Sequence, residues 1–208
     1  MTTEFVFISH GERCAAWHLT ADSDALTGQS GRPCVVMAHG FGGTRDSGLM
    51  AFAEPFAAAG MDVVLFDYRG FGDSGGEPRQ YISVKKQRQD YHAAIDAARN
   101  LPGVDRDRIA LWGTSYSGGH VIAVAATDQR VAAVVSVCPA TDGLAALVQG
   151  VREASAGHMA RLVAHGLFDG RAEMAQHPLG MVAAVGGLSD GRLAGGVEPG
   201  QQNCRLDL

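Results

Sequence analysis

Apolar residues follow two different periods along this chain, and the changes of period mark the elements. Residues 4–9 read as a strand, His10-Gly11 as a turn and residues 13–20 as a second strand, which together predict a hairpin. A polar stretch rich in Gly, Ser and Asp fills residues 21–32. Residues 34–38 (CVVMA) are a short continuous apolar run between Pro33 and His39-Gly40, the pattern of a strand covered on both faces. Leu49, Phe52, Ala53 and Phe56 then recur at helical spacing within residues 46–59, and Gly60 ends the pattern. Residues 63–66 predict another buried strand, followed by a Gly-rich loop over 67–80. A long helix is predicted over 83–101, with Val84, Tyr91, Ile95 and Ala98 apolar and Lys85, Lys86, Arg88 and Asp90 on the solvent side. Residues 109–112 read as a strand, 116–128 as an apolar and hence buried helix, and 131–137 as a further strand.

Strands alternating with helices after an initial hairpin predict an α/β fold. Its sheet is mostly parallel, with helices on both faces. The pattern divides the chain into a core over residues 1–142, a helical, lid-like segment over 143–179 and a Gly-rich irregular tail over 180–208. No internal repeat is present.

Composition narrows the function. Apolar residues make up 46% and charged residues 19% of the 208, which excludes a disordered chain. A net charge of −5 leaves no basic footprint for nucleic acid. No apolar run is long enough to cross a membrane, and the N-terminus, with Glu4 and no basic region, does not read as a secretory signal. Cys14, Cys34, Cys138 and Cys204 are scattered, as expected of free thiols in a reducing cytoplasm. The 28 glycines, nearly twice the usual share of about 7%, point to tight turns and close backbone approaches.

Three of those Gly-rich segments carry chemistry. In Leu111-Trp112-Gly113-Thr114-Ser115-Tyr116-Ser117-Gly118-Gly119-His120 a buried strand runs into a serine turn and then an apolar helix. A tight turn there lifts the Ser115 hydroxyl above the sheet edge, and the helix N-terminus behind it favours developing negative charge. The usual pattern has glycine where Ser117 stands; serine is small enough for the turn. Acyl transfer also needs two backbone N–H donors for the oxyanion. Tyr116, after the serine, offers one, and Phe41, in the turn His39-Gly40-Phe41-Gly42-Gly43, offers the other. The third segment, Asp67 to Gly76, holds a G-x-G-x-x-G spacing, but Glu77-Pro78-Arg79 follows it where a dinucleotide fold needs a helix start. No metal or other cofactor is called for, because neither H-E-x-x-H nor a Cys/His cluster occurs.

HGFGG, DYRGFGDSGG and GTSYSGGH, in that order and spacing, resemble the α/β-hydrolase superfamily over residues 4–142. The last is similar to the elbow of its serine-aminopeptidase-like and dienelactone-hydrolase-like branch. The resemblance implies Ser115 as nucleophile, Phe41 and Tyr116 as backbone oxyanion donors, and cleavage of an ester, thioester or amide in a small acyl substrate through an acyl-enzyme.

The same resemblance implies an acid and then a histidine after the nucleophile, and here the pattern departs. Asp142, just past the strand at 131–137, reads either as that acid or as a cap on a helix beginning at Gly143. His177, before Pro178, is the candidate base; His158 and His165, seven apart on one helix face, compete with it, and Asp169 with His177 would make a compressed acid–histidine pair. His120 lies five residues into the elbow helix, directed away from Ser115, and His39 reads as structural through a backbone hydrogen bond. The expectation is therefore a hydrolase shortened at its C-terminal end. Its sheet would stop at an open apolar strand, which a second copy or another partner would cover. The competing reading is a catalytically impaired homologue that serves as a binding module.

Overall fold

The computed structural model describes residues 1–142 and Gly157. The chain divides into two units, Met1–Gly150 and Val151–Leu208, and the architecture below is that of the first. The expectations for segments 143–179 and 180–208, and for His158, His165, Asp169, His177 and Cys204, lie outside the described residues.

The hairpin forms as its pattern predicts. β1 (Thr2–Ser9) pairs antiparallel with β2 (Glu12–Leu19), from Thr2 opposite Leu19 to Ser9 opposite Glu12. That register leaves two turn residues, His10 and Gly11, at φ 48° and 88°. Positive φ at both positions is the turn whose twist matches a two-residue hairpin. β3 (Arg32–Ala38), α1 (Met50–Ala58), β4 (Asp62–Phe66), α2 (Val84–Arg99), β5 (Val104–Thr114), α3 (Tyr116–Ala125) and β6 (Val131–Val137) follow. Among the described residues the strands form one sheet in the order β1-β2-β4-β3-β5-β6. β3 runs parallel to β4 and β5, and β5 parallel to β6; β2 meets β4 antiparallel.

Both faces of the central strands are covered, which is why they read as continuous apolar runs rather than as alternations. Val36, Ala38, Val64, Phe66, Ile109 and Leu111 pack on one side with Tyr91, Ile95 and Ala98 of α2 and Val121 and Val124 of α3. Val35, Met37, Val63, Leu65 and Trp112 pack on the other with Leu49, Ala53 and Ala57 of α1 and its approach. β6 is the outer strand among the described residues, and its Val134, Val135 and Val137 are exposed.

Three boundaries differ from the sequence reading by three residues or more. β5 begins at Val104 instead of 109, because Arg32 pairs with Val104 across a register shift. Asp105 to Arg108 are partly or wholly exposed and give no apolar signal. α1 begins at Met50, because Ser47 Oγ accepts from the Thr44 N–H at 3.0 Å and holds the preceding residues in a turn. α3 stops at Ala125. α2 matches its expected start, where the Ser83 side chain caps the helix by accepting from the Lys86 N–H.

Two buried carboxylates tie the elements together. Asp62 accepts from Arg32 Nε (2.7 Å), Arg32 Nη2 (3.2 Å), the Ala21 N–H (3.1 Å) and His18 Nε2 (2.8 Å). Burial alone would raise its pKa, but the His18 and Arg32 hydrogen bonds outweigh burial and hold the carboxyl well below the usual range. Asp90 of α2, expected on the solvent side, is buried instead, because it accepts from Ser9 Oγ at 2.6 Å, from the Arg69 backbone N–H at 3.0 Å and from Arg69 Nε.

Cys14 and Cys34 are buried free thiols and Cys138 an exposed one. Burial, with Asp90 nearby, pushes the Cys14 thiol up to about 12, so it is an inert core residue. No helix among the described residues is long and apolar enough to cross a membrane.

Candidate active site

The serine turn sits where β5 ends and α3 begins. Ser115 is exposed and has φ 55°, ψ −115°, a conformation that serine rarely adopts. Its backbone is over-determined: its N–H donates to the Val137 carbonyl (2.9 Å), and its own carbonyl accepts from the N–H groups of Gly119 (3.2 Å) and Ala140 (2.8 Å). The Ser115 side chain does not cap α3, and the residue is exposed.

Glycine is required on both sides of that turn. A Cβ on Gly113 would stand 2.5 Å from the Ser117 carbonyl oxygen, and one on Gly119 2.2 Å from the Ala140 carbonyl oxygen. Ser117, where the usual pattern has glycine, is fully buried and bonded. Its Oγ accepts from the Thr114 N–H at 2.9 Å and lies 3.0 Å from the carbonyl oxygens of Ala38 and Thr114.

The loop after β3 folds against this turn. A Cβ on Gly40 would lie 3.3 Å from the Thr114 carbonyl oxygen and 3.6 Å from Ser115 Cβ. The rings of Phe41 and Tyr116 meet edge to face, with centroids 5.6 Å apart and planes at 88°. The structure thus brings together three of the residues singled out in the sequence: Ser115, Phe41 and Tyr116.

Arg45 and Asp67, which sequence reasoning did not single out, join this loop to the Gly-rich loop after β4. Asp67 accepts from the Arg45 backbone N–H at 2.7 Å and the Asp73 N–H at 3.3 Å, and Arg45 Nη1 lies 3.3 Å from its other oxygen. Arg45 also pairs with Asp73 at 2.7 Å and lies over the Trp17 ring. Burial raises the Asp67 pKa against the lowering by Arg45. Gly72 is required here, since a Cβ would fall 2.2 Å from the Asp67 carboxylate. The G-x-G-x-x-G spacing therefore wraps a protein carboxylate, and α2 begins only at Val84.

Both described histidines near the turn are engaged elsewhere. His39 is buried, with Nδ1 3.0 Å from the Gly40 carbonyl oxygen and its ring edge-on to Tyr68, as the structural reading expects. Burial lowers its pKa to about 4. His120 is buried on α3, with Nε2 2.9 Å from Gln87 Oε1 and its ring against Tyr116 at 4.6 Å. Burial, with Arg88 adding to it, lowers its pKa to about 4 as well. Both are neutral near pH 7. Asp142 lies two residues past Ala140, whose N–H bonds the Ser115 carbonyl. His177 is outside the described residues.

An open α/β sheet whose serine turn, second Gly-rich loop and elbow helix converge at the C-terminal ends of its parallel strands defines a class of protein. Residues 33–176 match the alpha/beta hydrolase fold family, and the chain belongs to it. It is 50% identical over 137 residues to the quorum-quenching protein AidA of Acinetobacter baumannii (strain MDR-ZJ06), covering 66% of this chain and 43% of that protein. It is 43% identical over 112 residues to the thiohydrolase aneE of Aspergillus aculeatus, covering 54% of this chain and 35% of that one. In structure it is similar to the alpha/beta hydrolase GrgF from Penicillium sp. sh18, with a TM-score of 0.68 at 26% identity, covering 95% of this chain and 68% of the other. The chain spans less than half the length of those two curated relatives.

Proposed function

We propose that this chain is a serine hydrolase that cleaves a small ester, thioester or amide through an acyl-enzyme at Ser115. The observation that carries the reading is the strained, exposed Ser115 at the junction of β5 and α3. The naming of one relative as a thiohydrolase favours a thioester.

In this reaction a histidine base takes the Ser115 hydroxyl proton as Oγ attacks the acyl carbonyl carbon. The carbonyl π electrons move onto oxygen, where the N–H groups of Phe41 and Tyr116 and the N-terminus of α3 stabilise the charge. Collapse expels the thiolate, alkoxide or amine, which takes the proton from the histidine. Water, deprotonated by the same base, then releases the acid and restores the serine. The sequence offers His177 as the candidate for that base and Asp142 as the candidate acid.

The second reading, a homologue that binds without turnover, is favoured by the engagement of His39 and His120 away from the serine hydroxyl. One experiment separates the two. A fluorophosphonate probe is added to the folded chain and to Ser115→Ala, and adducts are read by intact mass. One adduct on the wild type, absent from Ser115→Ala, is the expected result. An unlabelled wild type would overturn the hydrolase reading for this chain and leave the binding module.

A further inference from the structure

We propose that Ser117 is a positioning residue for the oxyanion donors: its hydroxyl ties the end of β3, which leads into the Phe41 loop, to the end of β5, which leads into Ser115 and Tyr116. The inference rests on the acyl-transfer reading above and deepens it. The β3–β5 ladder has its last register pair at Ala38 and Gly113. Beyond it the two strands leave their common register, one into the turn at Gly40 and the other into the elbow. The separation between the Phe41 and Tyr116 N–H groups is set in this stretch.

A single buried hydroxyl spans it. Ser117 Oγ accepts the Thr114 N–H at 2.9 Å, which fixes the residue just before the nucleophile. Its one proton is shared between the Ala38 carbonyl, at 3.0 Å, and the Thr114 carbonyl, at 3.0 Å. The bond to Ala38 reaches across 79 residues and acts as a side-chain rung where the backbone ladder has stopped. Tyr91, itself fully buried, lies alongside and donates to the Trp112 carbonyl at 3.2 Å. A buried hydrogen bond in such surroundings holds geometry more firmly than one open to water. Glycine, the residue more usual at this place in the elbow, has no atom to make these bonds. This chain therefore fixes its oxyanion geometry through a side chain where a glycine elbow relies on backbone packing alone.

The test compares Ser117→Ala with Ser9→Ala, which removes another buried hydroxyl, the one that donates to Asp90 away from the turn. Two readouts are taken on folded protein: the fluorophosphonate labelling rate, split into a maximal rate and a half-saturating concentration, and amide hydrogen exchange. Ser117→Ala is expected to lower the maximal labelling rate about tenfold or more with little change in half-saturation, because misplaced donors weaken transition-state stabilisation and not probe binding. Exchange at Thr114, Ser115 and Gly119, whose N–H groups are hydrogen-bonded at the elbow in the wild type, is expected to accelerate. Ser9→Ala is expected to change neither, whatever it costs in stability. Wild-type protein that takes no label would sink the acyl-transfer reading, and exchange alone would then decide the bracing role. Unchanged exchange at those three amides in Ser117→Ala overturns the proposal, as does a fall in labelling equal to that of Ser9→Ala.

Discussion

Replacing Gly113 by alanine would test how tightly the elbow is closed. Gly113 is not among the residues with positive φ, so alanine meets no conformational penalty there and the whole cost is steric. The added Cβ would stand 2.5 Å from the Ser117 carbonyl oxygen, 2.6 Å from the Ser117 carbonyl carbon and 2.9 Å from the Gly118 nitrogen. Ordinary contacts start at 3.4 Å, so the chain must open by about 1 Å, and every atom in the way is backbone. Overpacking costs about 1–3 kcal/mol where side chains can adjust, and none can here, so the expected loss is about 3 kcal/mol. Gly11→Ala supplies the contrast: its φ is 88° with nothing within 4 Å, so it carries only backbone strain, about 1 kcal/mol. Urea unfolding of the two variants, with unchanged slope, would measure the difference. The Gly113 variant is also expected to label at Ser115 about a hundredfold more slowly, since a 1 Å displacement misaligns the nucleophile. Equal destabilisation of the two variants, or normal labelling of the Gly113 variant, would refute the close-packed elbow.

Two further predictions concern charge. Asp62→Asn leaves Arg32 without its carboxylate; breaking a buried pair costs about 3–5 kcal/mol, and the low end applies because Arg32 and His18 both reach solvent. The Asp62 contribution is fully present above the unfolded carboxylate value of about 4 and is lost as pH falls through the depressed folded value, so the urea midpoints of wild type and variant should stay apart down to about pH 5 and draw together only below about pH 4. His120 acts from the other direction: buried neutral with a pKa of about 4, it stabilises fully above its unfolded value of about 6.5 and less as the unfolded chain takes up its proton, by about 2 kcal/mol at pH 5. An NMR titration of its ring proton with a midpoint near 6.5 would show that the Gln87 pocket does not exclude charge.

The apolar pattern alone determined the order of hairpin, strands and helices. Period and covering are local consequences of burying one stripe of a helix or both faces of a central strand. The glycine-rich segments around Ser115, Phe41 and Tyr116 were legible as well, because a strained turn and a close backbone approach leave glycines in the sequence around them. Tertiary structure decided what no local pattern encodes. Val104 extends β5 because Arg32 is its partner across the sheet, although residues 105–108 look like loop. The Asp67 carboxylate, wrapped by a loop that mimics a nucleotide-binding spacing, joins Arg45 across 22 residues. Ser117, which reads as a mere small residue, bonds Ala38 from 79 residues away. Such partners are chosen by where the sheet brings chain ends together, and hydrogen bonds over that distance leave no period behind. Position in sequence records which residues must be buried or bent; only the folded chain records which of them meet.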